Sequence, residues 1–141
     1  MSGSDIFGIV GSALAAQNAR MGAIASNLAN VDSITPPGAA PYRAHEVVFE
    51  AAPVTGMNGG TADMGVQVAG VLQSNAPPVQ KYDPSSPYAN TKGYVTGSNV
   101  SQVNEMVDLI DSSSSYSASV AVLQQASRID QQMLASFQVS P

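Results

Sequence analysis

An apolar stripe with alternating steps of three and four runs through the start of the chain and then stops abruptly, and that stop constrains the fold more than any other feature. Phe7, Val10, Leu14, Met21, Ile24, Leu28 and Val31 make up the stripe, with Gln17 as its one polar member. Such spacing belongs to a helix with a single apolar seam. The stretch Ala25 to Ser33, ASNLANVDS, closes it. Asn30, Asp32 and Ser33 compete for backbone hydrogen bonds, and Thr35-Pro36-Pro37-Gly38 removes donors and restricts the residues before each proline. A helix capped by Ser4 or Asp5 and running to about Leu28 is predicted, with its stop near Asn30 and Met1 to Ser4 disordered in the free protein. Glycines 3, 8, 11 and 22 weaken it by ~1 kcal/mol each relative to alanine, so it forms only when packed. A single seam needs a second helix to cover it. The only other long region with helical period is Asn99 to Phe137.

That second region carries two adjacent stripes. Val100, Val103, Val107 and Ile110 form one; Met106, Leu109, Tyr116, Val120, Leu123, Leu134 and Phe137 form the other, with Ser113, Ser127 and Asp130 as polar members. Two stripes imply two partners. A helix over this span is roughly 58 Å long, against ~35 to 40 Å for the diameter of a compact chain of this size. An elongated molecule is expected. Ser112 to Ser115 interrupt the stripes with residues of modest propensity, either as a hinge or as polar filler on a solvated face.

Between the helices the period changes. Ile34 to Pro41 reads as a loop and Tyr42 to Glu50 as a strand. Asn58-Gly59-Gly60 is a strong turn signal, and alternation resumes over Val66, Val68, Gly70 and Leu72. Ser74 to Ser98, with four prolines, reads as irregular apart from a short strand at Gln80 to Tyr82. The predicted fold is therefore α+β and elongated: N- and C-terminal helices packed as a coiled-coil-like pair, with a small β-hairpin-based middle unit. Its parts are residues 1–30 (helix), 31–98 (β unit and Pro-rich extended segment) and 99–141 (long helix).

Composition narrows the function classes. Aromatics are 6%, tryptophan is absent and charged residues are 11%, which suits thin helical seams and a surface tolerant of self-association. The net charge of -5, with basic residues scattered at Arg20, Arg43, Lys81, Lys92 and Arg128, offers no patch for phosphates, so nucleic acid and anionic membranes are not expected partners. With no cysteine there are no disulfides or thiolate metal sites. The start of the chain has the apolar run of a secretory signal but lacks a positive n-region, and Asp5 stands where that charge belongs.

No catalytic pattern emerges. His45, the lone histidine, stands beside Glu46 in a predicted strand, so the two point to opposite faces. Glu105, Asp108 and Asp111 read as a solvated acidic face without the further ligands a metal site requires. No dinucleotide fingerprint, phosphate loop or nucleophile elbow is present. Neither an enzyme nor a cofactor is expected.

The segment SALAAQNARMGAIASNLANVDSITPPGAAPYRAHEVVFE resembles the N-terminal signature of bacterial flagellar rod and hook proteins, in which an ASNLAN-type motif closes the first helix. Its TPPGAAP insertion looks like that of a proximal-rod member. The block KYDPSSPYANTKGYVTGSNVSQVNEMVDLI is similar to that member's YDPxxPxAxxxGYV and NVxxVxEM motifs. Departures lie at SSSSYSASV and at Gly97-Ser98, where the family tends to have an Arg-Ser-Tyr-Gln-Ala-Asn-like run and a proline.

The resemblance implies a structural subunit of the flagellar basal-body rod, the helical drive shaft that transmits torque for motility. It implies export through the flagellar type III apparatus without a cleaved signal peptide and assembly in the periplasm. Its partners would be itself, other rod proteins and the basal-body rings, with no membrane insertion. The terminal helices would form the rod core. The expected assembly interface comprises Phe7, Val10, Leu14, Met21, Ile24, Asn27, Leu28, Asn30, Val103, Met106, Leu109, Ile110, Tyr116, Val120, Leu123, Leu134 and Phe137. From the residues alone, a soluble coiled-coil adaptor or secreted binding module stays open as the alternative.

Overall fold

The computed structural model describes residues 3–54 and 63–138. Two helices, α1 (Gly3–Ala29) and α2 (Gln102–Gln138), bracket five strands: β1 (Ile34–Thr35), β2 (His45–Val54), β3 (Asp63–Gln73), β4 (Gln80–Tyr82) and β5 (Tyr94–Gly97). β2 and β3 form an antiparallel pair, and β1, β5 and β4 form a small antiparallel sheet in that order. The α+β class with paired terminal helices is borne out. The Asn58-Gly59-Gly60 turn lies outside the described residues.

α1 stops where the sequence says it should. The Asn30 amide donates to the Ser26 carbonyl at 2.9 Å, and Ser33 Oγ donates to the Asn30 carbonyl at 2.8 Å, so side chains satisfy carbonyls that the helix end leaves open. Its start differs from expectation. The chain is already helical at Gly3, ahead of the expected start at Ser4 or Asp5.

α2 begins at Gln102 rather than Asn99, because Asn99 is engaged elsewhere and Ser101 caps instead: its carbonyl accepts the Glu105 N–H at 3.0 Å. β2 likewise begins at His45 rather than Tyr42. The Ala44 N–H goes to Asn99 Oδ1 at 2.7 Å and the Ala44 carbonyl takes the Ser74 N–H at 2.8 Å, so these groups are already bonded before the ladder starts. The strand continues through Pro53, which a two-stranded ribbon tolerates.

The predicted strand at Gln80–Tyr82 is present, but Ser74 to Ser98 is more ordered than expected. β5 joins β4 to β1, and Ile34–Thr35 is a short strand rather than loop. At the β4–β5 turn, Gly93 takes a φ of 78°, which a side chain would strain. Asn90 holds that turn by accepting the Lys92 and Tyr94 N–H groups at 2.9 and 3.0 Å.

The helices run antiparallel. Asn27, at the end of α1, meets Glu105, at the start of α2, while Phe7 shares a groove with Leu123 and Ser127. α1 lies between α2 and the β2–β3 ribbon. Ser12 Oγ accepts the Val66 N–H at 3.1 Å, and the Arg20 guanidinium stacks 4.1 Å over the Phe49 ring.

The interior is thin. Among the described residues, the buried apolar side chains are Val10, Ala16, Ile24, Ala44, Val95 and Val100. The chain exposes 9298 Å², where a compact monomer of its mass exposes about 6,800 Å². α2, with 37 residues, is about 55 Å long at ~1.5 Å per residue. Among the described residues no helix is long and apolar enough to cross a membrane.

The first stripe of α2 needs correction, and the second turns inward only at Tyr116, Val120 and Leu123. The face that α2 turns inward carries Glu105 and Ser112, both buried, with Tyr116, Val120 and Leu123 half-buried further along. Val103, Val107 and Ile110 face outward at 71, 52 and 65% exposure. The serine block is neither a break nor uniform filler: α2 is continuous through it, Ser112 is buried and Ser113 to Ser115 are exposed. Period alone could not choose the inward face, because two adjacent stripes offer two ways to turn the helix.

Candidate functional site

Asn27 sits at the junction of α1, β2 and α2, 1% exposed, and makes every hydrogen bond its amide can make. Nδ2 donates to the His45 carbonyl at 3.0 Å and to Glu105 Oε1 at 2.9 Å. Oδ1 accepts from the His45 N–H at 2.8 Å and from the Tyr42 hydroxyl at 3.1 Å. Tyr42 has one proton to give. With it on Asn27, the Tyr42 oxygen accepts from Ser26 Oγ at 3.0 Å and, with His45 in its Nδ1–H tautomer, from the ring at 2.9 Å. The lone histidine thus serves the knot, its ring edge-on to Tyr42 at 5.3 Å.

A second clasp lies beside the first. Besides binding Ala44, Asn99 donates from Nδ2 to the Ser74 and Ala76 carbonyls at 3.2 and 2.9 Å, joining the exit of β3 to the approach of α2. Ser98, also buried, donates to the Val31 carbonyl at 2.8 Å and so ties the end of α1 to β5. Asn27 belongs to the ASNLAN motif, and Asn99 and Glu105 belong to the NVxxVxEM motif. Residues 78 positions apart are bonded directly. Sequence reading singled out Asn27 but missed Asn99, Ser98 and the partnership of Glu105.

Glu105 lines a cleft of about 580 Å³ between α1, β2 and the start of α2, together with Glu46, Asp108 and Asp111. Burial raises its pKa above the usual carboxylate range; the Asn27 hydrogen bond opposes this, and Asp108 and Glu46 add to it. A raised folded-state pKa sets the sign of the pH effect. Well below the ordinary carboxylate range both states are protonated and nothing is lost. As pH rises from that range to the raised value, only the unfolded state has released its proton, so stability falls across the window and stays lowered above it. Glu105→Gln keeps an acceptor for Asn27 and removes the charge. Its thermal midpoint should exceed that of the parent at pH 7, and the gap should close below the ordinary carboxylate range. A midpoint at pH 7 equal to or below the parent's would refute this. Among the described residues, no three His, Asp or Glu side chains gather as metal ligands would.

The residues expected at an assembly interface fall into three groups. Val10, Ile24 and Asn27 are buried within the single chain. Phe7, Leu14, Met21, Leu28, Asn30, Tyr116, Val120 and Leu123 are half-buried along the helix pair and its ends. Val103, Met106, Leu109, Ile110, Leu134 and Phe137 are exposed, the last at 81%. The outward side of α2 adds Val107, Val122, Ile129 and Met133 to them. So much apolar exposure on one helix exceeds the scattered surface residues of ordinary monomers.

Comparison with known proteins gives the family. Residues 9–36 match the family model described as flagella basal body rod protein, and residues 91–136 match that of the flagellar basal body rod FlgEFG protein C-terminal. The first span covers most of α1 and reaches past β1; the second runs from before β5 through most of α2. Proteins named flagellar basal-body rod protein FlgC from Escherichia coli O6:H1 and Salmonella typhimurium are each 50% identical over 121 residues, covering 84% of this chain and 86% of the relative. A Bacillus subtilis protein of the same name is 37% identical over 124 residues, covering 79% of this chain and 83% of the relative. The pair of helices, the clasps that join them and these likenesses agree: the chain belongs to the FlgC family of flagellar basal-body rod proteins.

Proposed function

We propose that this chain is a structural subunit of the flagellar basal-body rod, assembling with copies of itself and other rod proteins into the shaft that carries motor torque. The observation that carries this reading is the outward face of α2. A helix that turns Glu105 and Ser112 inward and leaves Val103, Val107 and Ile110 exposed is suited to meet a neighbour along its length. Head-to-tail contacts that do not close produce a helical assembly. The names of the relatives support the basal-body setting. In this reading residues 1–30 and 99–141 are the rod-core helices and residues 31–98 lie outside them. Export through the type III apparatus without signal cleavage, assembly in the periplasm and contact with the basal-body rings belong to the same proposal. The role asked of the chain is mechanical rather than catalytic.

The test changes the face and spares the fold. Val107→Asp with Ile110→Asp places two charges where the chain alone is open to water, so folding stability should change by no more than about 0.5 kcal/mol per site. A neighbouring subunit would bury those charges, at several kcal/mol. Cells carrying only this variant should export it and fail to swim. Swimming at the parental rate would show that no partner covers this face.

A further inference from the structure

Two polar contacts define how α2 leaves the β unit. The Asn99 clasp fixes where the helix starts, and the Asn27–Glu105 bond, one turn later, fixes its rotation about its own axis. Over the first three turns of α2 the rotation is not what apolar burial would choose. Glu105 is 9% exposed and Ser112 is 1% exposed, with Ser112 Oγ left without a partner among the described residues, while Val103, Val107 and Ile110 are exposed. α1 contributes its own misfit, a buried Gln17 Oε1 without a partner. Turning the first three turns of α2 about the axis would exchange these polar atoms for apolar ones, while further along the half-buried Tyr116, Val120 and Leu123 favour the observed side. Asn27 is suited to hold those first turns in place because its four bonds leave it no freedom: two hold it to the His45 backbone, one to Tyr42, and the last reaches Glu105. Single buried polar groups are known to select register in helix pairs at the expense of stability.

We propose that the Asn27–Glu105 bond is the rotational lock of α2, with Glu105 the positioning residue that decides which apolar face is offered to the neighbouring subunit. The assembly consequence rests on the rod-subunit reading above; the geometric one does not. Without the lock the chain stays folded, but α2 samples rotations that draw Val103 and Val107 toward α1. The assembly-competent surface is then only one of several.

The chain has no cysteine, so a pair can be introduced without background. Ala19 and Ser114 are exposed on the two helices, and spin labels on Ala19→Cys and Ser114→Cys report the distance between them. The parent and Glu105→Gln, which keeps an acceptor for Asn27, should give the same single narrow distance distribution and normal swimming. Glu105→Leu and Glu105→Met remove the acceptor and leave an apolar side chain of similar reach. Each should still melt cooperatively, show a broadened or split distribution, and reduce swimming at least tenfold. A narrow, parental distribution in both apolar variants would overturn the lock whatever swimming does. Broadened distances with normal swimming would overturn its role in presenting the face. Loss of cooperative melting in both would make the bond structural only, which also overturns the proposal. The charge variants at Val107 and Ile110 test the rod reading itself, so its failure is told apart from the failure of the lock.

Discussion

Ile24→Asp should abolish folding of the helix pair. Ile24 is 4% exposed and is the largest apolar side chain among the described residues buried to that degree. It lies one turn before Asn27 and lines the cleft that holds Glu105, Asp108 and Asp111. Aspartate there loses the buried methyl and methylene groups, worth 2–5 kcal/mol in comparable truncations. It also brings a further carboxylate into a cleft already lined by Glu46, Glu105, Asp108 and Asp111, which outnumber Arg20 on the same wall. A loss of roughly 5 kcal/mol or more is expected, against a total of about 5–15 kcal/mol for an ordinary domain. With so few buried apolar residues, this chain has little margin. Chemical denaturation followed by circular dichroism should find the variant largely unfolded in buffer. A cooperative transition within about 1 kcal/mol of the parent would mean that Ile24 is not part of the interior.

Gly65→Val should have the next largest effect, through sterics alone. At Gly65 β3 comes close to α1: a side chain there would run into Val54 and would place its Cβ 2.6 Å from Ser12 Oγ. Neither neighbour yields freely. Ser12 Oγ is held by donating to the Ile9 carbonyl at 2.7 Å and accepting the Val66 N–H at 3.1 Å, and Val54 also stands against Gly8. Moving α1 outward breaks the Ser12–Val66 bond and leaves a part-buried N–H without a partner. Overpacking of about 1–3 kcal/mol and an unsatisfied donor of about 1–3 kcal/mol together suggest a loss near 4 kcal/mol. Gly65→Ala should show a smaller loss of the same kind, eased when combined with Ser12→Ala, since contacting sites couple. If Gly65→Val lost less than about 0.5 kcal/mol, the close approach of ribbon and helix would be refuted.

These two positions differ in how visible they were. Ile24 belongs to a period that any reading of the chain finds, because helix geometry repeats every few residues and the signal is local. Gly65 carries no such mark, for it matters only through atoms of Ser12 and Val54 that the fold brings to it. The same division runs through the site. Asn27 stood out as part of a motif that ends a helix, but its four bonds go to residues 15 to 78 positions away.

By itself, the sequence determined the parts: a helix that stops at Asn30, a second long helix, a strand pair between them, and motifs specific enough to indicate the family. Those features rest on local spacing, on backbone chemistry at Asn, Pro and Gly, and on residue runs that can be compared directly. Only the tertiary structure decided how the parts face one another. β5 joined two short segments into a sheet because its pairing is non-local, and α2 turned Glu105 and Ser112 rather than Val103, Val107 and Ile110 toward α1. Two adjacent stripes leave a helix free to bury either one. The choice fell to Asn27, Glu105 and Asn99, whose hydrogen bonds exist only once α1, the ribbon and α2 have met, since a buried polar group must find its partner or the arrangement fails.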